Sequence, residues 1–110
     1  MKLVIAVVSH DDANAVTQNL TRHGFSSTKL STTGGFLLSG NATLFVGVEE
    51  EKVQQVIDLI REYSHSRKQV VPGINQDIST MGYLPAMSME VTVGGATVFV
   101  VDVERFERLW

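Results

Sequence analysis

The residues best suited to chemistry stand in one stretch, T-K-L-S-T-T-G-G-F-L-L-S-G-N, from Thr28 to Asn41. Gly34, Gly35 and Gly40 let the backbone turn its N–H groups toward an anion, as a nest does, while the hydroxyls of Thr32 and Thr33 and the amide of Asn41 add neutral hydrogen-bonding groups. Phe36 adds a flat surface, and a base stacked on one aromatic ring is worth about 1 to 3 kcal/mol. This is chemistry that holds a nucleotide, with stacking on the base and backbone donors on the phosphate. The same residues also suit a plain hairpin loop with a partly buried phenylalanine, because glycine pairs are common in turns. The spacing is neither that of a dinucleotide-binding GxGxxG nor that of a P-loop.

Three other groups are weaker. Ser9-His10-Asp11-Asp12 places nucleophile, base and carboxylate types side by side, but adjacent residues on an extended segment point in different directions, so Asp11 and Asp12 read as helix caps. His23 and His65 fall near predicted helix C-termini, where an imidazole interacts favourably with the dipole. Their spacing does not suit a metal. The segment from 66 to 86, with Pro72, Gly73, Met81, Tyr83 and Pro85, lacks sustained periodicity and reads as a long loop, either a flap over a ligand or a solvated insertion. Near the end, Glu104, Arg105, Glu107 and Arg108 have the pattern of a solvated helix face, with the two arginines available to a phosphate. No pair of titratable residues announces an acid–base site, so a catalytic role is not expected.

Composition sets the frame. A chain of 110 residues with 44% hydrophobic content has room for one domain with one core, spanning residues 1–110. With no cysteine there is neither a disulfide framework nor a thiolate metal site, and the chain reads as cytoplasmic and free of metal and cofactor. The first apolar run is too short for a membrane span. A net charge of -3 argues against general DNA or RNA binding, which needs a basic stripe. An anionic ligand must therefore be small and locally held.

The elements that would position these groups follow from periodicity. Residues 2–8 form a β-branched strand, and a helix over 13–23 is capped by Asp11 or Asp12 and stopped by Gly24. Strands over 26–32 and 42–48 form a hairpin around the glycine-rich loop. Val53, Val56, Ile57, Ile60 and Tyr63 recur at helical spacing up to Arg67 and Lys68. M-S-M-E-V-T-V and A-T-V-F-V-V-D-V, separated by Gly94-Gly95, read as a tight hairpin, and a short helix over 104–109 closes the chain. The order βαββαββα predicts an α+β, ferredoxin-like antiparallel sheet with both long helices on one face. The strands are apolar at consecutive positions, so the bare face must be covered by another copy of the chain.

At this point the residues resemble the PII-like cyclic di-AMP receptors. The likeness is carried by M-K-x-x-I-A-x-V at the start, G-F-x-x-T-K-L-x-T-T-G-G-F-L-x-x-G-N at 24–41 and M-E-V-T-V-G-G-A-T-V-F-V at 89–100, and it spans the whole chain. The resemblance implies a signal-transduction protein built as a homotrimer, with a short T-loop in the T-T-G-G-F-L segment, a long B-loop at about 66–86, and one cyclic di-AMP in each cleft between subunits. Occupancy would be relayed through loop movement to a downstream protein. Carried over by position, Thr28, Phe36 and Asn41 would recognise adenine and ribose, Gly35 and Leu37 would present backbone groups, and Gly47 would leave space for the ligand. The family pattern has arginine where this chain has Ser26 and Leu38. That departure favours an alternative, a diverged trimeric module that recognises a protein partner or another metabolite.

Overall fold

The computed structural model describes residues 1–31, 40–72 and 88–110. Its elements are β1 (Lys2–Ser9), α1 (His10–Arg22), β2 (Thr28–Ser31), β3 (Asn41–Val48), a 3-10 turn (Glu50–Lys52), α2 (Val53–Ser64), β4 (Arg67–Pro72), β5 (Ser88–Val93) and β6 (Ala96–Asp102).

In β1 the apolar residues separate by parity. Val4, Ala6 and Val8 are buried, while Leu3, Ile5 and Val7 on the opposite face stay partly exposed. Strand β3 lies antiparallel to β1 and repeats the pattern, with Ala42, Leu44, Val46 and Val48 inside. Helix α1 adds Ala13, Val16 and Leu20, and α2 adds Val56, Leu59 and Ile60, all to one buried cluster. Both helices therefore cover the same face of the sheet, and the buried cluster lies between that face and the helices. The four strands run in the order β2-β3-β1-β6, all antiparallel. α1 connects β1 to β2 across β3, and α2 leads from β3 toward β6 across β1. This is the α+β, ferredoxin-like arrangement that the periodicity predicts.

The ends of α1 depend on local chemistry. Ser9, not Asp11 or Asp12, is the N-cap: its hydroxyl accepts the Asp11 N–H at 3.4 Å, and the two aspartates occupy the first turn. A cap must sit in extended backbone just outside the helix, and Ser9 closes the strand there. At the other end Gly24 takes φ +88°, and the Phe25 N–H donates to the Leu20 carbonyl at 2.8 Å. That closure places Phe25 in the core.

Four further expectations are corrected. Helix α2 stops at Ser64, since His65 is extended (φ -55°, ψ 146°), and Arg67 and Lys68 begin a strand. The loop expected from 66 opens instead as a ribbon: β4 pairs antiparallel with β5 from Arg67↔Val93 to Pro72↔Ser88, with a diagonal Lys68–Glu90 ion pair of 3.1 Å across the two strands. Residues 73–87, with Gly73, Met81, Tyr83 and Pro85, lie outside the described residues, as do 32–39 of the T-loop.

The expected β5–β6 hairpin does not form. β5 belongs to the two-stranded ribbon, while β6 joins the main sheet beside β1 over seven rungs, from Lys2↔Asp102 to Val8↔Ala96. β6 gains more from a long apolar neighbour than from β5, and Val98 packs against the core. The final segment is no helix. Beyond β6 the Val103 N–H donates to the Met1 carbonyl at 3.1 Å, prolonging the sheet pairing, and residues 105–110 carry no regular structure. A helix of one or two turns without a packing partner does not repay its nucleation cost. Lys2 and Asp102 also form an ion pair across the first rung.

Candidate functional site

The face of the sheet turned away from the helices carries the positions of interest. The register sets Thr28, Phe45, Ile5 and Phe99 in one row, Gly47, Leu3 and Val101 in the next, and Asn41 opposite Ser9. Phe99 is 54% exposed and Leu30 44%, so this face is apolar and open to solvent within one chain. It is the surface the uniform strands predict.

Each end of this region has a recess. The first encloses about 650 Å3 and is lined by Ser26, Thr28, Phe45, Gly47, Phe106 and Arg108, among others. A Cβ added to Gly47 would meet only the Met1 Sδ at 3.9 Å and Cε at 4.0 Å, ordinary contacts, so the chain's own packing does not demand glycine there. The position is open toward whatever occupies the recess.

The second recess, about 450 Å3, is lined by Ser9, Asp11, Asn41 and the Gly94-Gly95 junction. Gly40 closes one wall, where its carbonyl accepts the His10 N–H at 2.9 Å. Behind the junction stands an assembly absent from any local pattern. Asp12, 6% exposed, accepts two bonds from Arg67, Nη2 to Oδ1 at 2.9 Å and Nη1 to Oδ2 at 3.3 Å, and Nη1 also reaches the His65 carbonyl at 3.2 Å. The bond to Asp12, reinforced by its charge, holds the Arg67 guanidinium pKa above its ordinary value. The Gly95 N–H donates to the Ser64 carbonyl, and the buried Ser64 hydroxyl donates to the Ile60 carbonyl. A Cβ on Gly94 would come within 2.6 Å of both Arg67 Nη1 and the His65 carbonyl, at a φ of +82°. This assembly ties the foot of the β4–β5 ribbon to both helices. Ser9, His10, Asp11 and Asp12 thus form no catalytic set: the serine caps, and Asp12 holds Arg67.

Comparison with known proteins supplies the family. The family model described as cyclic-di-AMP receptor matches residues 1–109. The chain belongs to the cyclic di-AMP receptor family. A solved structure, described as a functionally unknown protein from Pediococcus pentosaceus ATCC 25745, is similar at 42% identity over 98% of this chain and 96% of that one, with a TM-score of 0.73.

In this receptor-family chain three of the six expected ligand positions, Thr28, Asn41 and Gly47, fall among the described residues. Thr28 and Gly47 line the first recess and Asn41 the second. Asn41 and Gly47 are six residues apart on one strand, a separation of about 20 Å. Gly35, Phe36 and Leu37 lie outside the described residues. Sequence reasoning missed Phe106, which reaches the first recess only because the tail is extended, and it missed the Asp12–Arg67 pair. Its one available signal was an aspartate in the first turn of a helix beside an arginine after another.

Proposed function

We propose that this chain is a PII-like signal-transduction protein that binds cyclic di-AMP, or a related adenine nucleotide, in clefts between the subunits of a cytoplasmic homotrimer. Occupancy is relayed to a downstream protein by movement of the segments around 31–41 and 66–86, without turnover of the ligand. The observation that carries the ligand class is the family match over residues 1–109. The separation of Thr28 and Gly47 from Asn41 along one apolar face supports the placement between subunits: a neighbouring copy seated on that face brings its own Asn41 end within reach of this chain's Thr28 end. Burying Ile5, Phe45 and Phe99 would drive that association, at about 25 cal/mol per Å2 of apolar surface removed from water.

Calorimetric titration with cyclic di-AMP, combined with light scattering for the assembly mass, tests the reading. The expected result is one ligand per chain on a particle of three chains. A trimer that gives no heat at high micromolar ligand would leave the assembly but remove the ligand, and would favour the module that recognises another partner.

A further inference from the structure

The recess at the Thr28 end has a charge character opposite to that of the chain. The protein carries a net charge of -3, yet among the described residues no aspartate or glutamate lines this recess, and Arg108 is the only charged side chain that does. The neighbouring ions do not neutralise it. Arg105 Nε is bound to Glu107 Oε2 at 2.8 Å, which removes the nearest carboxylate in sequence, and among the described residues Arg108 makes no ion pair. Its guanidinium lies 5.2 Å from the centre of the Trp110 ring. Trp110 is fully exposed, and a cation over an exposed ring is held only weakly. The guanidinium is therefore loosely parked and free to turn to a stronger partner.

The rest of the lining defines that partner. Ser26 and Thr28 offer hydroxyls, and Phe45 and Phe106 offer apolar rings. A volume of about 650 Å3 lies within the range of small-molecule sites, roughly 300 to 1,000 Å3. A planar fork with parallel N–H donors matches the oxygens of a phosphate. We infer that Arg108 is an affinity-determining residue that grips a phosphate of the ligand at the Thr28 end, leaving Trp110 as it does so. The inference rests on the proposed nucleotide reading for the identity of the ligand, but the anion-holding role of Arg108 stands on the recess itself.

Trp110 is the only tryptophan, so its emission reports whether the guanidinium stays on the ring. The experiment titrates the full chain and its Arg108→Gln and Arg108→Lys variants with cyclic di-AMP and, separately, with inorganic pyrophosphate. Heat and Trp110 fluorescence are followed together. In the unaltered chain both ligands are expected to bind and to shift the emission. Arg108→Gln should weaken cyclic di-AMP by about 10- to 100-fold, the loss of a charged hydrogen bond, and abolish the emission change. Arg108→Lys should recover part of the affinity, since it keeps the charge but not the fork. If Arg108→Gln binds cyclic di-AMP as tightly as the unaltered chain, the inference is overturned and the receptor reading survives. If cyclic di-AMP fails but pyrophosphate binds in an Arg108-dependent way, the receptor reading falls and the inference stands. If neither ligand binds the unaltered chain, both are lost.

Discussion

At the Thr28 end of the outer face, Gly47 is bordered only by the tip of the Met1 side chain, while at the Asn41 end Gly94 is wedged between an arginine and a backbone carbonyl. Among the described residues, the side chains lining the first recess include Arg108 and no carboxylate, and those lining the second include Asp11 and no cation. An added Cβ would meet ordinary contacts at the first position and would collide with the chain's own groups at the second. The difference teaches that a glycine has two separable meanings. The Cβ it forgoes either makes room for a ligand or makes room for the protein's own contacts.

Substituting the two glycines breaks the comparison most directly. Gly94→Ala forces a side chain into positive φ and against Arg67, and it should cost about 2 kcal/mol or more. For a domain of this size that lowers Tm by roughly 8 °C, read by thermal melting. A variant that melts like the unaltered protein would falsify the wedge. Gly47→Val should do the reverse. It meets little within the chain, so Tm should stay close to the parent value, while affinity for cyclic di-AMP should fall at least about tenfold, or 1.4 kcal/mol. Equal losses of stability and binding at this position would merge the two roles that the geometry separates.

A smaller effect is expected from Asp12→Asn. It keeps the shape but removes the charge that Arg67 holds, and Arg67 is partly solvated, which weakens the pair. Tm should fall by a few degrees, and amide hydrogen exchange should quicken in β4 and β5 more than in β1 and β3. Uniform quickening across the sheet would mean that the pair does not serve the ribbon in particular.

The smallest effect lies at the Lys2–Asp102 rung. The bond to Lys2 lowers the Asp102 pKa below its usual 3.8, and the same bond raises Lys2 above 10.5. The pair's contribution is therefore complete between those values, and it is lost as pH falls below 3.8 or rises past 10.5. Asp102→Asn should narrow the Tm difference measured on either side of the acid limit. Asp102 is exposed and Lys2 partly so, so the change should be slight, and a large one would point to a different acid-sensitive group.

Much of the fold was legible in the residues. The helical spacing from Val53 to Ile60 and the β-branched runs of β1 and β3 report directly which positions share a face, because each backbone type repeats with its own period. The greasy outer face was legible for the same reason, from Leu3, Ile5 and Val7 alternating with an equally apolar inner set. The candidate site was half legible. Thr28, Asn41 and Gly47 could be located by their motif, but nothing in the motif said that they stand at opposite ends of a strand.

Periodicity and local chemistry alone settled β1, β3 and the bodies of α1 and α2, the stop of α1 before Gly24, and, through the whole-chain motif, which family the chain joins. Tertiary structure alone settled which strand pairs with which, so that β6 chose β1 over β5. It also brought Asp12 to an arginine 55 positions away and laid the tail, with Phe106 and Arg108, beside Thr28. A period tells a residue which way to face; the partner it meets there is decided by competition among distant segments for the same buried surface.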